Sequence, residues 1–302
     1  MIFIGENIHV ISKRVCEALK NRDENYISEL IKLQKNMDYT DLNVGPAKNE
    51  LADILPWLVG IVKKESSIGI SFDTTNAIEM EKGLKCFGGN SFINSASNDI
   101  ERFNIMTELA LKYDSNLIAL TLSKESGIPK TADGRMEIVF DMYERFMDSG
   151  VNSEKIFFDP LVLPVCVEQS QAFEVISSIR MIKESFSPQV NTVVGLSNIS
   201  NGASERHLIN KIFLTLLYGA GLDAAIVDAG DFELFRVAKM LENQNPESEA
   251  DDLLLEISKI VCDFIDLEDI KYDQTSTEQK NFIKTAKILL NKEVYSNSFT
   301  QI

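Results

Sequence analysis

Four short apolar runs of this chain each end on, or directly beside, an aspartate or an asparagine. Residues 67–73 end on Asp73, residues 91–95 include Asn94, residues 156–160 include Asp159, and residues 191–200 include Asn198. An apolar, β-branched run that stops in polar residues is typical of a buried strand that delivers side chains to a site. Each residue alone also fits a structural role, because Asp before Pro starts turns and Asn or Asp after a strand caps helices.

These side chains can meet only if their strands share one sheet. Strands are predicted at residues 2–6, 39–45, 68–73, 91–95, 117–122, 156–159, 192–197 and 224–228. Helices are predicted between them, at residues 15–33 with a break near 21–25, 51–64, 76–85, 100–112, 136–147, 168–184 and 208–218. Pro56 predicts a break or a late start in the second of these helical regions.

Strict alternation of strand and helix implies a parallel sheet, because each helix returns the chain to the same end. Eight repeats predict an α/β fold of the (β/α)₈ TIM-barrel type, and an open doubly wound sheet is the main alternative. After the eighth strand we predict helices at 232–241, 253–265 and 278–290, the last of which would close the barrel. The sequence therefore predicts one domain over residues 1–302, with a helical insertion at about 242–274.

The carboxyl ends of barrel strands share one face, so this fold would bring five polar side chains together: Asn43, Asp73, Asn94, Asp159 and Asn198. Short carboxylates and amides present both donors and acceptors to a heterocycle with an amide edge and an amino group. A pterin has this pattern. The set of five favours a binding site over five separate structural roles.

Composition narrows the function classes. The formal net charge is −16, which argues against nucleic acid as a partner and disfavours an anionic membrane surface. The four cysteines lie far apart without a CxxC pair, so no zinc site and no disulfide framework is predicted. The first residues lack the features of a signal peptide, and no run approaches a membrane span. We expect a cytoplasmic protein that binds neither nucleic acid nor membrane.

Ten motifs resemble, in family order, those of the methyltetrahydrofolate:corrinoid protein methyltransferases, which are related to dihydropteroate synthases. They cover nearly the whole chain and are IGE at 4–6, DLNVGP at 41–46, DTTN at 73–76, INS at 93–95, GIPK at 127–130, DPL at 159–161, GLSN at 195–198, LIN at 208–210, GLDAA at 221–225 and LLN at 289–291. The resemblance implies a pterin-binding TIM barrel and a homodimer.

The resemblance also implies roles for individual residues. Asp73, Asn94 and Asp159 match positions that bind the pterin ring, and Gly195 and Ser197 match the loop that lines its pocket. Asn43 and Asn201 complete the expected substrate-binding set. Asn198 matches a mobile amide near N5 of the pterin.

The implied reaction moves a methyl group between N5 of methyltetrahydrofolate and the cobalt of cobalamin. The corrinoid would be carried by a partner protein, such as a corrinoid iron-sulfur protein, in anaerobic one-carbon metabolism. No metal is expected on this chain. A neutral tertiary amine is a poor leaving group, so N5 must be protonated or strongly hydrogen bonded. Asn198 is the predicted donor, and Asp159 with water is the predicted proton network.

The chain departs from the family pattern in four places. Asn7 stands where the family commonly has Arg, and Asn201 stands where it has the longer Gln. The loop at 123–126 looks one residue longer than usual. The insertion at about 242–274 is the largest difference, and we predict that it influences the choice of corrinoid partner.

Two other functions fit part of the sequence. Dihydropteroate synthases share the barrel but resemble a pattern with Ser-Arg-Lys on strand seven, where this chain has Ser197, Asn198 and Ile199. The lysine that would face the pterin and its diphosphate leaving group is absent. A non-catalytic pterin-binding protein would keep the ring contacts but lose Asn198 or the partner surface.

Overall fold

The computed structural model describes residues 1–124, 127–186 and 190–296. Two residues of the predicted longer loop, 125 and 126, lie outside the described residues.

Eight parallel strands form a closed barrel in sequence order, which confirms the (β/α)₈ prediction. Neighbouring strands pair in parallel throughout, and β1 pairs with both β2 and β8, which excludes the open sheet. The strands are β1 (Ile2–His9), β2 (Tyr39–Gly45), β3 (Gly69–Thr74), β4 (Ser91–Ala96), β5 (Asn116–Leu120), β6 (Ile156–Asp159), β7 (Asn191–Gly195) and β8 (Ala224–Val227).

Helices fill the intervals between the strands. In the described residues they are α1 (Lys13–Lys20), α2 (Glu24–Leu33), α3 (Ile54–Glu65), α4 (Ala77–Phe87), α5 (Ile100–Tyr113), α6 (Ala132–Asp148), α7 (Ser170–Phe186), α8 (Arg206–Gly219), α9 (Phe232–Asn243), α10 (Glu249–Cys262) and α11 (Thr277–Leu289). Pro56 lies in the first turn of α3, where its missing N–H costs nothing, so the late start of that helix is confirmed.

Side-chain caps set several of these helix starts. Asn76 accepts hydrogen bonds from two backbone N–H groups at the start of α4, and Asp99, Thr131 and Asp231 each cap the helix that follows them. Such caps satisfy N–H groups that have no partner within the helix. A polar residue after β3, β4, β5 and β8 therefore caps the next helix, but none of these four caps is a polar residue predicted for the site.

The interior of the barrel, below the carboxyl ends of the strands, is filled by one inward-facing side chain from each of seven strands. This interior plug consists of Ile4, Tyr39, Phe92, Ile118, Phe157, Val193 and Ala224. The rings of Tyr39, Phe92 and Phe157 meet edge to face, with 4.7 Å between the centroids of each adjacent pair. Side chains alternate between the two faces of a strand, so the residue two positions after each plug residue also faces the interior. On five strands that residue is polar or Gly: Glu6, Asp41, Asn94, Asp159 and Gly195.

The last three helices form the outer wall beside α8. Helix α9 contacts β1, because the ring of Phe235 packs edge to face on the ring of Phe3 with 5.0 Å between their centroids. A β-carbon on Gly219 of α8 would lie 1.9 Å from the Ser258 carbonyl oxygen of α10, so these two helices cross in close contact. Helix α11 packs on α8 and α7, so the barrel is closed by the β1–β8 pairing and not by this last helix.

Helix α10 lies within the predicted insertion and is built into the core. Its residues Leu253, Leu254 and Ile257 are buried in the same apolar cluster as α8 and α9. Deleting the segment would expose that cluster, so its influence on partner choice is better tested by surface substitutions. The assignment of residues 1–302 to one domain stays a prediction. None of the helices in the described ranges is long and apolar enough to cross a membrane.

Candidate functional site

Three of the predicted site residues lie side by side on β2, β3 and β4. The register places Asn43 opposite Asp73 and Asp73 opposite Asn94. The Asn43 side-chain amide donates a hydrogen bond to the Asp73 carboxylate. These side chains form one edge of the open end of the barrel, directly above the interior plug.

Asp41, which we did not predict as a site residue, lies beneath this edge. It is buried, and it accepts hydrogen bonds from the Ser71 hydroxyl at 2.5 Å and the Asn94 amide at 3.2 Å. Burial raises the pKa of Asp41 well above its usual range, and the nearby Asp73 charge raises it further. The alternation of inward residues could have found it, because Asp41 is two residues after the plug residue Tyr39.

Glu6 is the second site residue that the sequence analysis missed. It is two residues after the plug residue Ile4, and the Ser197 hydroxyl hydrogen bonds to its carboxylate. Burial raises the pKa of Glu6, and the Asp228 charge adds to the effect. Glu6 also acts electrostatically on Asp41, so it links the β2 side of the opening to the β7 loop.

The positive charge of Arg102 acts on Asp73. Burial raises the pKa of Asp73 to about 6, while the Asn43 amide and the Arg102 guanidinium act in the opposite direction. Arg102 on α5 donates to the backbone carbonyls of Thr74, Thr75 and Ser95. Thr74 ends β3, Thr75 follows it and Ser95 lies next to the end of β4, so Arg102 fixes the backbone that carries Asp73 and Asn94.

Asp159 ends β6 and is 7% exposed. Its carboxylate accepts a hydrogen bond from the Leu161 backbone N–H at 2.8 Å. Burial raises the pKa of Asp159 to about 7, against the opposing effects of the Leu161 N–H and the Arg135 charge. A carboxyl group with this pKa is about half protonated at neutral pH and can accept or release a proton there.

The β7 loop holds Asn198 at the barrel mouth. After β7 the chain turns into a short 3₁₀ helix, Leu196–Ser200, which leaves Asn198 exposed and Ser197 buried. The Asn198 amide nitrogen lies over Gly195, where an added β-carbon would be only 2.8 Å away. Gly195 therefore provides the space in which the Asn198 amide rests.

Two neighbours orient this amide. The Asn201 side chain donates to Asn198 Oδ1 at 3.3 Å, and Arg206 donates to Asn201 Oδ1 at the same distance. The amide nitrogen Nδ2 of Asn198 makes no hydrogen bond within the described part of the chain. With its oxygen occupied in this way, Asn198 can present its N–H groups to a ligand.

Asn7, another of the departures from the family pattern, hydrogen bonds to the loop after β8. Its side chain donates to Asp228 at 2.7 Å and accepts from the Ala229 N–H at 3.0 Å. Asn7 thus ties β1 to the loop after β8.

The predicted residues therefore form three groups around one opening. Asn43, Asp73 and Asn94 are linked on β2 to β4, and Gly195, Ser197, Asn198 and Asn201 form the β7 loop. Asp159 stands alone between them, since its hydrogen bond within the described residues is to its own loop.

A family described as "Pterin binding enzyme" matches residues 36–228, which run from just before β2 to just after β8. The chain belongs to the family of pterin-binding enzymes. The family resemblance read from the motifs is thereby confirmed, and the match covers the described strands that carry Asn43, Asp73, Asn94, Asp159 and Gly195.

Curated relatives of this pterin-binding enzyme include two kinds of protein. A methylcorrinoid:tetrahydrofolate methyltransferase from Eubacterium limosum is 26% identical over 232 residues, which cover 76% of this chain and 85% of that protein. A methionine synthase from Mycobacterium leprae is 31% identical over 194 residues, 60% of this chain and 16% of the synthase. The chain thus spans only a small part of that much longer relative.

Solved structures with the same fold include dihydropteroate synthases. One from Clostridium difficile, solved in the presence of pteroic acid, has a TM-score of 0.60 at 18% identity and covers 81% of this chain and 97% of its own. One from Yersinia pestis has a TM-score of 0.58 at 12% identity, with 80% of this chain and 92% of its own covered. At these identities the likeness shows the fold alone.

Two further features of the described residues bear on ligands. No group of three or more His, Cys, Asp or Glu residues among them is placed to hold a metal ion. Two cavities of about 310 and 350 Å³ are lined by residues of α10, α11 and the segment between them, including Lys271 and Tyr272. We place the candidate site at the barrel mouth nonetheless, because the buried carboxyl groups with raised pKa values are there.

Proposed function

We propose that this pterin-binding enzyme transfers a methyl group between N5 of methyltetrahydrofolate and the cobalt of a corrinoid carried by a partner protein. The observation that carries the proposal is the Asn198 amide, held over Gly195 with its oxygen occupied by Asn201. Support comes from the relative named methylcorrinoid:tetrahydrofolate methyltransferase, since the match covers 85% of that protein.

The pterin ring would lie across the open end of the barrel. Asp73 and Asn94 would contact it from the β3–β4 side and Asp159 from the β6 side, while Asn43 would hold Asp73 in place. The carboxylates accept hydrogen bonds from ring N–H and amino groups, and the amides can donate to ring oxygen and nitrogen. Ser197 and Gly195 would line the third side.

The chemistry requires that N5 should not leave as an anion. The Asn198 Nδ2 group would hydrogen bond to N5 and stabilise the charge that develops there. Asp159, with its pKa raised to about 7, would exchange the N5 proton through water at neutral pH. Holding cobalt, methyl carbon and nitrogen in line can supply about 7–11 kcal/mol of the rate enhancement, so positioning would outweigh acid catalysis.

The corrinoid is cargo of the partner, and cobalamin as a nucleophile supplies the electron pair that takes the methyl group. A corrinoid iron-sulfur protein would suit this role in anaerobic metabolism. The resemblance implies a homodimer, and the composition of the sequence predicts a cytoplasmic protein; both stay predictions.

A spectral assay tests the function. Methyltetrahydrofolate and cob(I)alamin are mixed with the protein under anaerobic conditions, and formation of methylcobalamin is followed by its absorbance. Turnover supports the proposal. Folate binding without methyl transfer, even with corrinoid proteins supplied, would favour the non-catalytic pterin-binding protein.

Dihydropteroate synthesis is the competing reaction in the same fold. The 3₁₀ helix after β7 offers Asn198 and Ile199 where that reaction needs a basic side chain at the diphosphate. We therefore expect no release of diphosphate from a dihydropterin diphosphate substrate. Release at a rate similar to methyl transfer would contradict the proposal.

The mouth of the barrel also carries an apolar rim. Large side chains at the strand-to-helix turns are 68% to 86% exposed, namely Ile11, Ile78, Ile100, Val167 and Phe232. Exposed apolar side chains that surround a site are typical of a protein docking surface. Because the cobalt must reach the methyl group through this opening, we propose that the corrinoid protein docks on the apolar rim.

Introducing a charge on the apolar rim should therefore weaken the binding of the corrinoid protein. Ile100 and Phe232 are the first residues of α5 and α9, where Asp is well tolerated because it interacts favourably with the helix dipole. We expect Ile100→Asp with Phe232→Asp to raise KM for the corrinoid protein by about tenfold or more. KM for free cobalamin should change much less. The control is Phe264→Asp, at an exposed phenylalanine outside the rim, and an equal effect of this control would contradict rim docking.

Gly195 offers a test of the Asn198 geometry. Its φ of −76° suits any residue, but an added methyl group would meet the Asn198 amide. We expect Gly195→Ala to displace that amide and lower kcat while the melting temperature changes little. A similar kcat in the variant would show that methyl transfer does not use the observed position of Asn198.

A further inference from the structure

Arg135 is a fully buried guanidinium group with no assigned role. It lies in the first turns of α6 and is 0% exposed. Burying a charged group is costly unless the group is paired and hydrogen bonded. No carboxylate forms an ion pair with Arg135 among the described residues, and its Nη1 atom has no hydrogen-bond partner there.

The bonds that Arg135 does make lead to Asp159. Its Nε donates to the Pro160 carbonyl oxygen at 2.7 Å. This oxygen belongs to the peptide group that joins Pro160 to Leu161, and the N–H of the same peptide group donates to Asp159 Oδ1 at 2.8 Å. A single peptide dipole therefore lies between the cation and the carboxylate, with each end bonded to the matching charge.

Such a chain strengthens both of its hydrogen bonds, because each bond polarises the peptide group in the direction that favours the other. The backbone at this point is unusual, since Leu161 has a φ of +64°. The chain of bonds from Arg135 supports this turn, which in turn aims the Leu161 N–H at the carboxylate.

Helix α7 fixes the guanidinium on its other side. Arg135 Nη2 donates to Gln171 Oε1 at 2.8 Å, and the Gln171 amide donates to the Lys130 carbonyl at 2.9 Å. Glu174, also on α7, accepts the Ala132 N–H at the start of α6. The charged groups that bear on Asp159 and Arg135 are thus each other and Glu174. Thr121, the residue after β5, donates its backbone N–H to the Asp159 carbonyl oxygen.

Asp73, a second buried carboxylate of the site, also has an arginine near it. Arg102 donates to backbone carbonyls directly after Asp73 and beside Asn94, and its charge acts on Asp73. In both cases an arginine from a surrounding helix binds the backbone next to a site aspartate instead of the aspartate itself. Among the residues that the structure describes, neither arginine hydrogen bonds to a carboxylate oxygen of the site, so neither competes there with a ligand.

We propose that Arg135 is a positioning residue, which holds the Asp159 carboxyl group in place through the Pro160–Leu161 peptide group and supplies the positive charge that balances it. For the consequence in methyl transfer this inference rests on the proposed function, but the coupling of Arg135 to Asp159 does not. The Arg135 charge acts to lower the pKa of Asp159, against the larger effect of burial.

The test is the titration of Asp159 in the protein without ligand. Carbon-13 NMR of labelled aspartate, assigned with Asp159→Asn, gives the pH midpoint of the carboxyl group. We expect Arg135→Met to move this midpoint upward by about one pH unit or more, and Arg135→Lys, which keeps the charge, to move it much less. The matched control is Arg145→Met at the other end of α6, with no expected change. An unchanged midpoint in folded Arg135→Met would overturn the proposal.

A second measurement avoids the risk that Arg135→Met does not fold. In the unsubstituted protein, the Leu161 amide and the Arg135 Nε–H should shift with pH at the Asp159 midpoint, because all three groups belong to one chain of bonds. An Arg135 Nε–H signal that does not respond at that midpoint would overturn the proposal. Neither measurement needs a pterin, so loss of methyl transfer and loss of this coupling can be told apart.

In the active enzyme, the pH profile of methyltetrahydrofolate binding gives the functional readout. We expect the part of this profile that depends on Asp159 to move to higher pH in Arg135→Met. In Arg135→Lys it should return close to its position in the unsubstituted protein. A variant that only lowers the melting temperature, with the same pH profile, would assign Arg135 a structural role alone.

Discussion

Replacing Asn198 with alanine is expected to lower kcat for methyl transfer by about 10²–10³-fold, the usual effect of removing one hydrogen bond that strengthens in the transition state. The N5 charge changes during the reaction, so a donor at N5 contributes more in the transition state than in the bound substrate. The dissociation constant of methyltetrahydrofolate should change far less, because Asp73, Asn94 and Asp159 are left intact. Single-turnover formation of methylcobalamin and equilibrium folate binding measure the two quantities.

Asn201→Ala is the matched control for this prediction. It removes the donor to Asn198 Oδ1 but leaves the Asn198 amide in the site. The expected loss in kcat is therefore smaller than in Asn198→Ala. If Asn198→Ala weakens folate binding as much as it slows transfer, Asn198 is a binding residue and not the transition-state donor.

Much of this site could be predicted because each residue stands at a strand end. The apolar runs before Asp73, Asn94 and Asp159 identify their strands, and a closed barrel brings all strand ends to one face. The motif resemblance then singled out Asn198. The interior alternation that places Asp41 and Glu6 was present in the sequence too, but it requires the register of each strand, which composition alone does not give.

The supporting arginines could not be predicted in this way. Arg102 and Arg135 lie on helices 29 and 24 residues away from Asp73 and Asp159 in the sequence, and each binds backbone carbonyls. Every residue has a backbone carbonyl, whatever its side chain. No pattern of residue types in the sequence therefore indicates which carbonyl an arginine will bind. The predicted role of the last helix in closing the barrel was wrong for a similar reason, because helical periodicity shows an apolar face but not the neighbour on which it packs.

Asp159→Asn is expected to stabilise the protein at pH 8 relative to pH 5 while it removes most of the methyl transfer. In the folded protein the pKa of Asp159 is about 7, above the ordinary carboxyl value of 3.8. The folded state therefore binds this proton more tightly than the unfolded state does. The stability that comes from the proton is complete below about pH 4 and is lost as pH rises to about 7. Asparagine has no proton to lose, so the variant keeps its stability over this range.

The size of the effect follows from the pKa shift. About three pH units at about 1.4 kcal/mol each give an upper limit of about 4 kcal/mol between low and high pH. From pH 5 to pH 8 the variant should gain about 2–3 kcal/mol in the free energy of unfolding relative to the unsubstituted protein. Urea unfolding at both pH values measures this gain.

Asp73→Asn gives the matched comparison for Asp159→Asn. The pKa of Asp73 is about 6, closer to the ordinary value, so a smaller gain is expected and most of it should arrive at lower pH. A gain at pH 8 accompanied by lost methyl transfer would mean that the buried Asp159 carboxylate is retained for function at a cost in stability. If Asp159→Asn shows the same stability difference at pH 5 and pH 8, Asp159 does not titrate in this range and cannot exchange the N5 proton at neutral pH.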